Sequence, residues 1–210
     1  MKSTATHKLL IAISVTAASF MSTQAAVQLA VNGDFETGDT TGWASFPTAN
    51  STFTVTTPGA SGSFAGTISN LTSGSAAVIK QANLGAGMLT PGMEITIMFD
   101  FLENSGPGGV VFAELFSEIA GGGVSKQEIL GGAPLFGSAI FSPRSFTTTL
   151  GSDVSGGVTL QFAFATGAFE GSTSGGTVDN VSITVIPEPA SGALIGLAGL
   201  VLVTRRRRQA

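Results

Sequence analysis

Hydrophobic and polar residues alternate along several stretches in the centre of the chain. In "MEITIMFDFL", positions 95, 97, 99 and 101 are all Ile or Phe, and the residues between them are mostly polar. "VTLQFAFA" and "VSITV" repeat the pattern, with an apolar residue at every second position from Val158 and from Val181. A period of two is typical of β-strands with one buried face. The pattern therefore predicts strands over residues 93–102, 158–165 and 181–185.

Weaker stretches of the same kind predict further strands over residues 53–57, 75–80, 110–119, 125–130 and 144–150. Turn-forming clusters separate the strands, among them "PGASGS", "NSGPGG", "AGGG", "LGGAPLFGS", "SDVSGG" and "GSTSGG". No long helical pattern interrupts residues 26–186. Short strands joined by Gly-rich turns indicate an all-β fold, an antiparallel β-sandwich or jelly roll.

The first 25 residues have a different pattern, "MKSTATHKLLIAISVTAASFMSTQA". Lys2 and Lys8 precede an apolar run that ends near Met21, and Thr23 and Ala25 occupy the −3 and −1 positions of a signal peptidase site. The run is too short to span a bilayer permanently. We therefore expect residues 1–25 to be an N-terminal signal peptide that directs export through the secretion machinery.

The other end of the chain predicts a single C-terminal transmembrane helix over about residues 190–204. This apolar stretch is followed by four basic residues, Arg205, Arg206, Arg207 and Arg208. Because cytoplasmic flanks of membrane helices are enriched in Arg and Lys, these residues orient the helix with its C-terminus inside and the β-domain outside. Upstream of the helix, two prolines restrict the backbone, so residues 186–188 are predicted to be extended.

The order of these parts carries a resemblance. The residues Pro187, Glu188 and Pro189 are followed by the predicted apolar helix and then by a run of arginines. This order resembles the PEP-CTERM sorting signal of Gram-negative bacteria. The resemblance implies recognition by an exosortase, an inner-membrane-anchored precursor, and a final place at the cell surface or in the extracellular matrix. That family is associated with bacteria that produce exopolysaccharide. The predicted organisation is a signal peptide (1–25), a β-sandwich domain (26–186) and a sorting signal (187–210).

Charge and composition exclude several functions. The chain has 210 residues, of which 10% are charged, and residues 27–186 contain twelve acidic and three basic residues, a net charge of −9. So acidic a domain is not expected to bind nucleic acid, which requires clustered Lys and Arg. The chain has no Cys, and its one His, His7, lies in the predicted signal peptide. Ser-His-Asp triads, thiol nucleophiles and His-ligated zinc are therefore excluded from the mature domain.

A second resemblance lies at the two borders of the domain. "LAVNGDFETGDTTGW" and "TVDNVSIT" are similar to the opening and closing segments of the galactose-binding-like jelly rolls, which include many carbohydrate-binding modules. The resemblance implies a structural Ca²⁺ held by Glu36 and Asp179, with carbonyls from residues such as Asn32 and Gly33. Turn and capping chemistry is the alternative for these residues. Asp34 and Asp39 are either peripheral ligands or solvated charges.

Aromatic residues offer little support for sugar binding. Trp43 is the single tryptophan and tyrosine is absent. We expect Trp43 to fill the core, which leaves phenylalanines as the exposed aromatics, with candidates Phe46, Phe116, Phe136 and Phe141.

Three hypotheses follow. The favoured one is a non-catalytic, exported surface or matrix protein associated with exopolysaccharide. The alternative is a lectin-like carbohydrate-binding module with structural Ca²⁺. The most distant is a glycoside hydrolase that uses carboxylates such as Glu103, Glu114 and Glu118, of which the last two also fit solvent-side strand positions.

Overall fold

The structure is a computed structural model that describes residues 26–185. In this range the chain forms eleven β-strands: β1 (Val27–Gln28), β2 (Ala44–Phe46), β3 (Ser51–Thr56), β4 (Ala65–Asn70), β5 (Ala76–Leu84), β6 (Glu94–Glu103), β7 (Gly109–Glu118), β8 (Val124–Ile129), β9 (Ser142–Thr149), β10 (Gly157–Thr166) and β11 (Ser174–Val185). A 3-10 helix, Leu130–Gly132, follows β8. All eight strands predicted from the alternation are present, with shifted ends.

The strands form two antiparallel sheets. The six-stranded sheet has the order β3-β4-β11-β6-β9, with β1 paired to β11, and the five-stranded sheet has the order β2-β5-β10-β7-β8. Most neighbours in space are therefore distant in sequence. An all-β antiparallel sandwich is confirmed.

The core lies between the two sheets and is built from the alternating positions. Phe99 and Phe101 of β6 face Phe162 and Phe164 of β10, and all four side chains are almost fully buried. The rings of Phe99 and Phe162 meet edge to face with their centroids 5.0 Å apart. Since every member of this core cluster lies between residues 29 and 185, and residues 26–185 all belong to one compact unit, we expect a fragment of residues 26–186 to fold by itself.

The two ends of the described chain lie side by side. Val27 pairs with Val185 and Gln28 with Thr184 in an antiparallel register. The closing segment therefore pairs back on the opening one.

Three strands were not predicted, β1, β2 and β4, and the start of β11 was predicted to be a turn. Gly66 of β4 has no side chain because an added Cβ would lie 2.4 Å from the Phe35 ring. In β11, a Cβ on Gly176 would lie 2.6 Å from the ring of Phe101. "GSTSGG" was thus wrongly interpreted as a separator: its last three residues are strand, and its glycines allow close packing.

The predicted signal peptide, membrane helix and sorting residues (Pro187, Glu188, Pro189 and the four arginines) lie outside the described residues. Among residues 26–185, no helix has the length and hydrophobicity needed to cross a membrane.

Candidate functional site

Glu36 and Asp179, the two predicted ligands, bind the same loop, residues 57–64. Glu36 Oε1 accepts hydrogen bonds from the backbone N–H groups of Ser63 (2.8 Å) and Phe64 (2.9 Å). Asp179 Oδ2 accepts one from the N–H of Ala60 (2.7 Å). Together the two carboxylates hold this loop near its middle and at its end.

Asp179 is fully buried. Burial raises the pKa of its carboxyl group, backbone N–H donors from Ala60, Asn180 and Ser61 act in the opposite direction, and the nearby charge of Asp100 adds to the rise. Asn180 donates to Asp100 Oδ2 (2.8 Å) and accepts from the Ser61 hydroxyl (3.0 Å). Asp179 thus stands at the centre of a polar network that joins β6, β11 and the loop.

The carbonyls proposed to complete a calcium site also have donors. Gly33 O accepts from Val181 N (2.8 Å), and Asn32 O accepts from the indole Nε1 of Trp43 (3.2 Å). A cation requires oxygen lone pairs directed at it, and each of these carbonyl oxygens uses at least one of its two lone pairs for an N–H group. Within residues 26–185, no group of three His, Cys, Asp or Glu residues is placed to hold a metal. The described contacts of Glu36 and Asp179 are hydrogen bonds to the protein backbone, and Ca²⁺ at these two residues stays a prediction.

The other two acidic residues of the opening loop have local roles. Asp34 Oδ1 accepts a bond from Glu36 N (3.3 Å). Bonds from the Thr41 N–H and the Thr37 hydroxyl hold the pKa of Asp39 below its usual value. Both are turn-stabilising interactions of the kind that Asp commonly makes.

Trp43 is buried, as predicted. Its ring stacks on Phe35 at 5.5 Å between centroids and also lies 6.1 Å from Phe162. It therefore joins the opening loop to the core and is not available for a ligand.

A different group of side chains lies on the outer face of the five-stranded sheet. Because Leu160 and Phe162 of β10 and Val111, Ala113 and Leu115 of β7 point into the core, the residues between them point outward. We call this group the polar–aromatic face; it consists of Phe46, Lys80, Phe112, Glu114, Phe116, Gln127 and Gln161.

The centre of the polar–aromatic face is a hydrogen-bonded row. Gln161 lies opposite Lys80 on one side and Glu114 on the other. Gln161 Nε2 donates to Glu114 Oε2 (2.9 Å), and Gln127 Nε2 donates to Glu114 Oε1 (3.0 Å). Glu114 therefore holds the two amides in place, and each amide has a carbonyl oxygen that can accept from a ligand hydroxyl.

Aromatic rings flank this row. Phe46 is 51% exposed, and the ammonium of Lys80 lies 4.9 Å from its ring centroid. Phe112 and Phe116 are half-buried on the neighbouring strand. Flat apolar rings beside fixed amide and carboxylate groups are the combination found in small-molecule sites.

Next to Phe116 lies an unpaired polar atom. Thr159 pairs with Phe116 across the strands and is 2% exposed. Its hydroxyl oxygen is buried and has no hydrogen-bond partner among the described residues. Buried polar atoms rarely stay unpaired, and because this oxygen is inaccessible to solvent it adds no contact for a ligand on the face.

The remaining predicted residues lie elsewhere. Phe136, 73% exposed, and the half-buried Phe141 belong to the β8–β9 connection. The carboxylate of Glu103 accepts a bond from Gly137 N (2.6 Å) and so fixes that connection. Glu114 and Glu118 occupy solvent-side positions of β7, as predicted.

The C-terminal segment matches one protein-family model. Residues 185–208 match the PEP-CTERM protein-sorting motif. The chain carries a PEP-CTERM sorting signal. The motif indicates an exported protein whose C-terminus directs its sorting. No curated protein has a matching sequence.

Solved structures resemble the β-sandwich. The enzymatically active domain of tailspike protein 4 from bacteriophage CBA120 superposes with a TM-score of 0.59 at 16% identity over 76% of this chain, which spans 21% of that chain. A family 16 carbohydrate-binding module gives 0.52 at 15% identity, covering 74% of this chain and 98% of the module. The CBM22-1 xylan-binding domain from Paenibacillus barcinonensis gives 0.51 at 12%, covering 73% and 92%. At these identities the likeness shows the fold alone.

The polar–aromatic face was largely missed by sequence reasoning. Phe46 and Phe116 were candidate exposed aromatics, and Glu114 was considered as a catalytic carboxylate. Lys80, Phe112, Gln127 and Gln161 were not singled out. The alternation in β7 and β10 placed Phe112 and Gln161 on the solvent side, but the strand order that brings β5, β10, β7 and β8 together could not be obtained from it.

Proposed function

We propose that this PEP-CTERM protein is a non-catalytic, exported component of the cell surface or extracellular matrix that binds neutral polysaccharide through its polar–aromatic face. The observation that carries the proposal is the Lys80–Gln161–Glu114–Gln127 row flanked by phenylalanines. Sugar rings present apolar faces that pack on aromatic rings and hydroxyls that pair with amides and carboxylates. The likeness to carbohydrate-binding modules supports the same function.

The negative charge of the domain favours an uncharged polysaccharide as its ligand. The domain carries a net charge of −9 over residues 27–186, and like charges repel a polyanion at long range. Lys80 is the one cationic member of the face, and its ammonium is directed at the Phe46 ring. A neutral hemicellulose-like or glucan-like polymer therefore suits this face better than a uronic acid polymer.

The positions of the carboxylates argue against hydrolysis. Glu114 and Glu118 are four residues apart on one strand, so their backbones are separated by about 13 Å. Glycosidase carboxyl pairs are separated by about 5 to 10 Å. Glu103 belongs to the other sheet and its carboxylate binds a backbone amide. None of the three pairs is arranged as an acid and its nucleophile or base.

The binding hypothesis is tested with the fragment of residues 26–186 on affinity gels that contain xylan, soluble β-glucan or alginate. We expect retardation by a neutral polymer and none by alginate. Replacing both Phe46 and Phe116 with alanine should weaken binding about tenfold, because two stacking surfaces are lost.

The matched control is Phe136→Ala, which removes an exposed aromatic from a loop that is not part of the face. Equal retardation of the parent and the double variant, or retention by none of the neutral polymers, would exclude this face as a polysaccharide site.

Sorting is tested separately on the full chain in cells that contain an exosortase. Replacing Pro187 and Pro189 with alanine should leave the C-terminal tail attached, since the extended Pro-Glu-Pro segment is the proposed recognition element. Immunoblotting measures the length of the protein. Pro143→Ala, in the β9 edge strand, is the control, and normal shortening of the double variant would refute the role of the motif.

A further inference from the structure

The terminal strands of the two sheets differ in how they are protected from pairing with another chain. Strands β3 and β9 end the six-stranded sheet, and β2 and β8 end the five-stranded sheet; β1, which pairs only with the end of β11, is two residues long. An unprotected terminal strand exposes backbone N–H and C=O groups and so offers a template for a further strand.

Three of these strands carry protective features. β9 contains Pro143 and Arg144. β8 contains Lys126 and Glu128, and its register with β7 is irregular. β2 has three residues. Proline, charge, irregular pairing and short length are the usual means by which sheet edges avoid association.

β3 has none of these features. Its sequence, STFTVT, contains no charge and no proline over six residues, and its pairing with β4 is regular. The rest of the domain is strongly acidic, which opposes association elsewhere. The β3 edge is therefore a place where two copies of the domain can approach without charge repulsion.

The hydrogen bonds show which backbone groups of β3 are free. Leu71 N donates to Asn50 O (2.8 Å), and this pair continues the β3–β4 register. Since directly opposed residues in antiparallel strands alternate between bonded and non-bonded pairs, the even-numbered residues of β3 bond to β4. The N–H and C=O groups of Ser51, Phe53 and Val55 point away from the sheet, and none has a backbone partner among the described residues.

The side chains of β3 also fit a further strand. Phe53 and Val55 face the core but stay half-buried, because the sheet ends beside them. On the outer face, Thr56 begins a hydroxyl row with Thr67 (2.6 Å) and Thr177 (3.0 Å). A neighbouring strand would cover the two apolar residues and extend the threonine surface.

We propose that two copies of this chain associate through antiparallel pairing of β3 with β3, centred on Phe53. In this register Phe53 lies opposite Phe53 of the second copy, and Ser51 lies opposite Val55. All the free groups of the three residues are then paired, in about six backbone hydrogen bonds. The edge is complementary to itself, and the two six-stranded sheets become one continuous sheet. The polar–aromatic faces are on the other sheet of each copy and stay open.

The first test measures the mass of the 26–186 fragment by sedimentation over a range of concentrations. We expect a dimer that is lost in Thr54→Lys, since the added charges meet across the two-fold axis. Thr54 is exposed, so the variant should fold, which circular dichroism checks. Thr147→Lys, at an exposed outer position of β9, should stay dimeric. A monomeric parent, or a dimer that survives Thr54→Lys, would overturn the proposal.

A second test uses the absence of native cysteine. In the proposed register, Thr52 of one copy lies opposite Thr54 of the other in a close pair with Cα atoms about 4.5 Å apart, which suits a disulfide. An equimolar mixture of Thr52→Cys and Thr54→Cys proteins should form the mixed disulfide under mild oxidation in a proportion well above that expected from random pairing. Product proportions that match random pairing, or no crosslink, would contradict the register.

Discussion

Replacing Phe35 with alanine is expected to lower the free energy of unfolding by about 4 kcal/mol, because a large buried ring is removed from a closely packed site. Phe35 has no exposed surface, stacks on Trp43 at 5.5 Å and meets Phe53 edge to face at 6.3 Å. Gly66 has no side chain at the point where it contacts the Phe35 ring. The neighbouring residues are packed around this ring, so they cannot easily close the cavity that alanine would leave.

Urea denaturation of the 26–186 fragment measures the change. Phe136→Ala is the matched control, since it removes the same group from a side chain that is 73% exposed and should change stability by less than about 0.5 kcal/mol. Phe35 has a positive φ of 56°, but alanine also has a Cβ, so the strain is similar in both proteins. A loss below about 1 kcal/mol would show that the opening loop is not packed as described.

Replacing Asp179 with alanine is expected to lower the free energy of unfolding by about 3 kcal/mol. The partly buried N–H groups of Ala60 and Asn180, each 2.7 Å from a carboxylate oxygen, would lose their acceptor, and an unsatisfied buried donor costs about 1 to 3 kcal/mol. The 57–64 loop would lose one of its attachments to the rest of the domain. Glu36→Ala should cost less because the Glu36 carboxylate is exposed.

The effect of Asp179→Ala should depend on pH. Burial raises the pKa of Asp179 above the ordinary value of 3.8, so the folded protein binds this proton more tightly than the unfolded chain. The stability that the group contributes is fully present below pH 3.8 and is lost as pH rises through the folded-state pKa. The difference between parent and variant should therefore shrink with rising pH in urea titrations. A difference that grows over this range would contradict the buried position of the carboxyl group.

The fold was largely predictable because its signal is local. Alternation in β6, β7 and β10 gives the strands and their buried faces directly. β4 was missed because Gly66 and Ala65 interrupt its pattern, and the reason for that glycine is a ring from residue 35. The start of β11 was missed because of its glycines as well. In the sequence Gly175 and Gly176 are typical of a turn, whereas in the sheet they allow close packing.

The site was less predictable because its contacts are distant in sequence. The resemblance to jelly-roll modules predicted that Glu36 and Asp179 lie near each other, and both side chains do bind the 57–64 loop. The loop itself, at residues 57–64, could not be identified as their partner, since Ala60 and Asp179 are separated by 119 positions. The polar–aromatic face depends on the order β2-β5-β10-β7-β8, which no single strand encodes.

The pairing of Val27 with Val185 makes the two attachment points of the domain equivalent. A linker leaving from either point therefore begins at nearly the same place on the domain. Moving an anchor from the C-terminal to the N-terminal side would thus present the same surfaces to the outside. Joining the two points by a short bridge and opening the chain elsewhere would preserve the arrangement of the sheets, so the domain is suited to circular permutation.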